Sequence, residues 1–282
     1  FLDVGHGQCC VIEAPSGRTI LVDAGRAGRS TQGQRLADDV ILPFLASRRV
    51  RNVDAIVITH PDADHCNAIE RVIREIPCGV VLESFPDPDS TVYARLADAA
   101  VELGVPVRRI SAGGQISLGS ELRTQVLWPP ANVPSELYDD NDRSAVLMLT
   151  HGRIRMLLTG DIENEAEHAI QRRGWPLAAT VLQVPHHGGA SSLGRTFLRQ
   201  VRPDAAVVSC AEADAHHPHP VTIDRLRQAS VRTWRTDLDG AVTLISDGET
   251  VRVRSQVARS RAQTEVLTGA GPRAALPGLA AP

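Results

Sequence analysis

Along this chain, short runs of aliphatic and β-branched residues alternate with longer amphipathic stretches, and four of the runs stop abruptly in clusters of histidine and aspartate. The run "DAIVI" leads into "THPDADH", "RMLL" into "TGD", "TVLQV" into "PHHGG", and "AAVVS" is soon followed by "EADAHHPHP". Runs of this kind read as strands at 9–14, 19–23, 54–59, 79–83, 122–127, 145–150, 154–159, 180–184, 205–209, 241–245 and 250–254. The amphipathic stretches predict helices at 34–47, 67–75, 91–103, 162–172, 192–200 and 221–229. In the first of these, Leu36, Val40, Ile41, Phe44 and Leu45 share a face, and Pro43 kinks or breaks the helix. Hairpin-spaced strands mixed with strand-helix alternation predict an α/β fold of two packed sheets with helices outside. If the strands deliver their C-terminal ends to one rim, the four polar clusters converge there.

The segment "DAGRAGRSTQGQ" reads as a loop, and its Arg26, Arg29 and Arg35 are either phosphate contacts or a solvated surface. One domain is expected over 1–255, with 256–282, rich in Ala, Gly, Pro and Arg, as a disordered tail. No apolar run reaches the roughly 18 residues of a membrane span, so no membrane insertion by this segment is expected. Phe1 in place of Met, followed at once by a strand-like end, predicts an upstream truncation. A formal charge of −3 argues against a broad nucleic-acid-binding face. All 30 basic residues are arginine, which excludes lysine Schiff-base chemistry, a P-loop lysine and a Ser-Lys dyad. Five cysteines without metal-ligand spacing read as buried apolar residues of a reducing compartment.

The first cluster carries the most chemistry. Side chains at His60, Asp62 and Asp64 alternate to one side of an extended turn, and His65 can fold back as a helix begins, so four N and O donors can face one small volume. A plain turn, bent at Pro61 and capped by Asp64, explains one aspartate but not two interleaved histidines. Asp161 in "TGD" is an ordinary turn residue by itself; beside the first cluster it is the carboxylate a pair of ions needs as a bridge. "PHHGG" offers His186 and His187, and "HHPHP" offers His216, His217 and His219, of which one is expected to bind. Asp3, His6 and Asp23 are either partners that orient metal-bound imidazoles or polar strand ends. Asn141, Asp142 and Ser144, in the loop "YDDNDRS", are placed to reach the site.

In this order "FLDVGHG", "ITHPDADH", "LLTGD", "VPHHGG" and "HHPHP" resemble the metallo-β-lactamase-fold hydrolases, specifically the C-terminal hydrolase domain of ComEC-type DNA-uptake proteins and related standalone hydrolases. The resemblance covers roughly residues 1 to 254. It implies a four-layer αββα sandwich with two divalent ions, Zn²⁺ or Mn²⁺, at one edge of the sheets. Carried over residue by residue, His60 and Asp62 bind the first ion, Asp64 and His65 the second, and Asp161 bridges them. A downstream histidine completes the set, a role open to His186 or His217. The chain departs from the branch where "GQGD" reads "GHGQ" and "YGHP" reads "AHHP", and where Asp62 stands for the imidazole of "HxHxDH". The third histidine of the first ion is also missing, with Asn141 or Asp142 near its place.

The implied chemistry is hydrolysis by a hydroxide bridging two cations. Asp64 would hold the water as well as a metal, and His187 would protonate the leaving group or touch a phosphate. A carboxylate-rich site tilts the metal towards Mn²⁺ without excluding zinc. The expected substrate is a phosphodiester of DNA or RNA. The alternatives are a small-molecule ester, lactone, thioester or cyclic nucleotide, or a metal-binding regulatory module without activity. Location depends on what precedes Phe1: cytoplasmic for a standalone enzyme, extracytoplasmic for a domain covalently linked to an upstream part of a membrane DNA-uptake protein.

Overall fold

Alternation inside the apolar runs assigns successive residues to opposite faces of a sheet. A computed structural model describes residues 1–212, 214–257 and 265–268. In the first sheet, β1 (Cys9–Glu13), β2 (Thr19–Ala24), β3 (Ala55–Ile58), β4 (Val81–Glu83) and β5 (Val107–Arg109) lie side by side in chain order. The second runs in chain order from edge to edge: β6 (Gln115–Ser117), β7 (Leu122–Trp128), β8 (Val146–His151), β9 (Ile154–Leu158), β10 (Val181–Gln183), β11 (Ala205–Val208) and β12 (Arg232–Arg235). A small antiparallel sheet, β13 (Val242–Ser246), β14 (Thr250–Ser255) and β15 (Glu265–Thr268), follows.

The helices are α1 (Ser30–Leu36), α2 (Leu42–Ser47), α3 (Ala63–Cys66), α4 (Ile69–Glu75), α5 (Thr91–Leu103), α6 (Asn164–Arg172), α7 (Arg195–Val201), α8 (Pro220–Gln228) and α9 (Thr236–Asp239). Three apolar interiors show how the layers stack. Ile20, Val22 and Val57 of the first sheet share one core with Leu147, Leu149 and Val207 of the second. Leu21, Ile56 and Ile58 point the other way, onto Leu36, Ile41, Leu45, Ile69 and Leu96 of the helices. Val146, Met148, Ala206 and Val208 pack outward against Ile170, Phe197 and Leu226. Helix, sheet, sheet, helix is the αββα sandwich expected from the sequence. Among the described residues no helix is long and apolar enough to cross a membrane.

Several local expectations need correction. The first helix begins at Ser30, inside the segment read as a loop, and passes through a π turn at Ala37–Ile41. Pro43 then falls in the first turn of α2, where a missing N–H costs little. The helix expected over 67–75 is α4, which starts at Ile69, and an unforeseen single turn, α3, precedes it at Ala63–Cys66. Strands β5, β6 and β12 went unforeseen because two are only three residues long and the third, "RTWR", lacks an aliphatic pattern. Glu265–Thr268, read as part of a disordered tail, forms β15 on the open edge of β14 with Leu267 buried; 258–264 and 269–282 lie outside the described residues.

Parallel pairing sets the rim. β2 runs parallel to β3, so Asp23 and Thr59 emerge at the same end. β9, β10 and β11 are likewise parallel, so the chain leaves them at Thr159, Val184 and Ser209 on one side.

Candidate metal centre

The first cluster turns sharply out of β3. Asp62 sits at the N-cap of α3 with extended backbone but makes no capping bond through its side chain, while Asp64 and His65 lie within the single helical turn. That turn is clamped from the other side: the Gln8 N–H donates to the Asp64 carbonyl at 3.0 Å. Gly25 permits the approach, since a Cβ there would stand 2.3 Å from the Asp64 carbonyl carbon. Gly160, in a left-handed conformation (φ +54°), serves the second sheet similarly; a Cβ would meet Ser144 and Thr59 at 2.8 and 2.9 Å.

Four donors meet at the rim. His65 Nε2 lies 3.2 Å from Asp161 Oδ2, and His187 Nε2 lies 3.3 Å from the same oxygen and 3.4 Å from Asp64 Oδ2. The two Nε2 atoms are themselves 3.4 Å apart. Two imidazole nitrogens this close cannot be explained by one hydrogen bond alone when both also face carboxylates. The spacing matches the edge of a tetrahedron of donors around a cation, about 3.3 Å for metal–ligand bonds near 2.0–2.1 Å. All four donor atoms fall within 4.8 Å of one another.

Each ring is held from behind. The Asp23 carboxylate, fully buried, takes the His65 Nδ1–H at 2.8 Å and is fixed by the Thr59 N–H at 2.7 Å and hydroxyl at 2.8 Å. His187 Nδ1 lies 2.9 Å from the Ser209 carbonyl, which can only accept, so Nδ1 carries the proton and Nε2 faces the cluster. His60 is buried with Nδ1 at 3.2 Å from both the Ser144 and Thr59 hydroxyls, and its ring centroid lies 4.2 Å from that of His65. The Ser144 hydroxyl also accepts from the Asp161 N–H at 3.1 Å.

The electrostatics follow this geometry. Burial pushes the Asp64 carboxyl up, but hydrogen bonds from His187 and His6 outweigh it and hold it well below the ordinary range. Asp161 behaves alike, its burial overcome by the charges of His65 and His187. Burial pulls both His187 and His65 down, yet Asp161 and Asp64 raise His187 to about 10, and the carboxylates of Asp161 and Asp23 raise His65. So much opposite charge in one buried pocket is a field that a dication can take over by displacing protons.

Two further atoms test the fit of a second cation. His60 Nε2 and Asp161 Oδ1 are buried and, among the described residues, have no hydrogen-bond partner. Leaving such groups unpaired costs about 1–3 kcal/mol each, and both are donors that a cation satisfies. Asp62 Oδ2 is 3.6 Å from His60 Nε2, and its side chain is 48% exposed, leaving it free to turn inward. Asp64, His65, His187 and one oxygen of Asp161 therefore form a donor set that suits a cation, and His60 Nε2 and the other oxygen of Asp161 are left beside it as further donors.

Neither His186 nor His217, read as alternative ligands, is in the cluster; His187, read as an outer group, is. His186 and His187 both adopt left-handed backbone (φ +49°), which turns the adjacent rings apart. His186 Nδ1 lies 2.9 Å from Glu163 Oε1, whose carboxyl it holds down at about 2. His217 Nδ1 lies 3.1 Å from Asp214 Oδ2, which also contacts His6 Nδ1 closely. Asp3 is exposed and accepts from the Gly5 N–H at 3.3 Å, and Asn141 donates to Glu163 at 3.3 Å. Asp142 caps α6 by accepting from the Glu163 and Ala166 N–H groups at 2.6 and 3.2 Å. Of the arginines, Arg26 is tied to the Val4 carbonyl at 2.6 Å, while Arg29 and Arg35 are exposed. Sequence reading passed over Thr59, Glu163, Ser209 and Asp214. Asp214 stood inside the quoted "EADAHHPHP", which was the available signal. An apolar cleft of about 560 Å³, lined by Phe1, Ile12, Phe44, Leu149 and Leu244, is separate from the cluster.

The family model of the metallo-beta-lactamase superfamily matches residues 2–212. The chain is 30% identical over 259 residues to ComE operon protein 3 of Bacillus subtilis (strain 168), covering 86% of this chain and 32% of that protein. It is 29% identical over 248 residues to competence protein ComA of Neisseria gonorrhoeae, covering 85% of this chain and 31% of that protein. It thus spans about a third of the length of these relatives. Among solved structures, Igni18, a metallo hydrolase from the archaeon Ignicoccus hospitalis KIN4/I, superimposes with a TM-score of 0.53 at 15% identity, over 83% of this chain and 93% of that one. That likeness concerns the fold.

Proposed function

The chain belongs to the metallo-β-lactamase superfamily, and from that premise we propose that it is a metal-dependent hydrolase that cleaves phosphodiester bonds of DNA or RNA at a centre of two divalent ions. The observation carrying the reading is Asp161: one oxygen spaced as a ligand among His65, His187 and Asp64, the other buried without a hydrogen-bond partner among the described residues. A carboxylate so placed has the two free faces of a bridge.

When bound, a pair of divalent ions supplies a water acidified from about 15.7 towards 7 and positive charge for the oxyanion that develops on the attacked centre. The protein's own part is to fix the donors. Asp23, the Ser209 carbonyl and the Thr59 hydroxyl, which gives its own proton to Asp23 and so accepts from His60, hold His65, His187 and His60 in the tautomers that present Nε2. Asp64, less buried than Asp161, sits where the centre opens and can orient the water. His186, paired with Glu163 and raised above its ordinary value despite burial, stands beside the centre as a phosphate contact or proton donor to the leaving group. The mixed imidazole and carboxylate donors are compatible with Zn²⁺ or Mn²⁺. The competence proteins among the relatives favour nucleic acid as substrate, and their greater length fits a covalent link to an upstream domain.

The test is a cleavage panel with Mn²⁺ or Zn²⁺ on single-stranded DNA, linear duplex DNA and RNA, alongside small esters and cyclic nucleotides, with Asp161→Ala as control. Metal-dependent strand cleavage lost in that variant supports the proposal. Turnover of small esters alone moves the assignment to a small-molecule hydrolase, and fewer than one ion per chain removes the hydrolase reading.

A further inference from the structure

We propose that His6 is a direct ligand of the same centre through Nε2, held by Asp214, so that this chain adds an imidazole on the Asp64 side; the inference rests on the hydrolase reading above. Three histidines around the cluster share one arrangement. In His65, Nδ1 is held by Asp23 at 2.8 Å and Nε2 faces Asp161 at 3.2 Å. In His187, Nδ1 is held by the Ser209 carbonyl at 2.9 Å and Nε2 faces Asp64 at 3.4 Å. In His6, Nδ1 is held by the Asp214 carboxylate and Nε2 faces Asp64 Oδ2 at 3.3 Å. A carboxylate behind a metal-bound imidazole fixes its tautomer and raises its basicity. The His6 ring also lies against that of His187, with centroids 4.7 Å apart.

His6, Asp214 and His217 also form a compact trio of donors. A separate ion there is the weaker reading. Asp214 Oδ1 already accepts from the N–H groups of His216 and His217 at 2.7 and 3.1 Å, and Oδ2 contacts both imidazole Nδ1 atoms. These are hydrogen-bond distances, shorter than the 3.2–3.4 Å spacings of the cluster. Asp214 is therefore saturated as a positioning residue, whereas His6 Nε2 is turned to Asp64 Oδ2 at 3.3 Å, an oxygen of the four-donor group.

The experiment is titration of the metal-free full chain with Co²⁺, following the visible absorption of the ion and the number bound, for wild type, His6→Gln, Asp214→Asn and Asp161→Asn. Wild type is expected to bind two ions. His6→Gln should keep one and bind the other about 10- to 100-fold more weakly, with an altered Co²⁺ spectrum, and Asp214→Asn should weaken the same step about 10-fold. Circular dichroism checks that each variant is folded; Asp214→Asn tests the assignment independently if His6→Gln is not. Identical titrations and spectra for wild type and both variants overturn the proposal while leaving two-ion hydrolysis standing. Three ions in wild type, with only the third lost in His6→Gln, overturn it in favour of a separate site. Binding of no ion by wild type overturns this inference together with the hydrolase reading.

Discussion

Asp161, at the rim just after β9, and Glu167, on α6, are both buried carboxyl groups, yet their surroundings differ in kind. Glu167 on α6 has both oxygens taken by backbone: Leu193 N–H donates to Oε1 at 2.5 Å and Gly194 N–H to Oε2 at 2.8 Å. Burial dominates, and its pKa is raised to about 8. Asp161 has one oxygen facing two imidazoles and the other without a hydrogen-bond partner among the described residues, and the imidazolium charges hold it well below the carboxylate range despite its burial. A saturated buried acid pins one segment to another; an unsaturated one surrounded by fixed imidazoles is a binding group. Burial alone separates the two poorly, whereas the count of free lone pairs separates them well.

The largest effect should come from Asp161→Asn. Loss of the bridge is expected to remove both ions and lower hydrolysis by at least about a thousand-fold, since the charge stabilisation at stake is several kcal/mol. The melting temperature of the metal-free protein should change little. Metal content and turnover measured on the same sample check this, and full metal content in the variant would erase the distinction drawn between the two acids.

Asp23 stands between the extremes, because its oxygens are saturated yet one of them serves a ligand. Asp23→Asn should fold, bind metal about 10- to 100-fold more weakly through a loosened His65, and retain measurable turnover at saturating metal. Isothermal titration with Zn²⁺ or Mn²⁺ reads this; unaltered affinity would show that His65 is held by packing rather than by its carboxylate.

How much of this could be read from the chain depends on how local each signal is. β2, β3 and β8 carry alternating aliphatic residues whose two faces enter different cores, and such runs announce themselves. β5, with three exposed residues, is defined only by its neighbour β4. The same holds at the site. His60, Asp62, Asp64 and His65 fall within six positions, so their chemistry is visible in one glance. The choice among His186, His187 and His217 is not local: a left-handed backbone at 186 and 187 and the Ser209 carbonyl decide it. Asp214, far along the chain from His6, acquires meaning only when the ends of β1 and β11 come together.

Glu167→Ala should reverse the pattern of Asp161→Asn. Removing the carboxyl leaves the Leu193 and Gly194 N–H groups without acceptors, for a loss of about 1–3 kcal/mol of stability. Folded molecules should bind the full complement of ions. Urea unfolding together with metal analysis tests both halves, and a metal-depleted but stable variant would mean that α6 shapes the centre directly.

The smallest effect is the pH dependence that Glu167 imparts between pH 7 and 8. Its folded pKa, about 8, lies above the ordinary 4.5, because burial disfavours the anion more than two N–H donors and nearby Arg225 favour it. A raised carboxyl contributes stability that is complete below pH 4.5 and is lost as pH rises through about 8. Between pH 7 and 8 the loss is at most about 1.4 kcal/mol. Glu167→Gln, uncharged throughout, removes this slope, so the stability of wild type minus variant should fall across the interval and level off above it. A flat difference between pH 5 and 9 would mean that the two N–H donors already stabilise the anion, and Glu167 would then resemble Asp161 in charge while still differing from it in having no free oxygen.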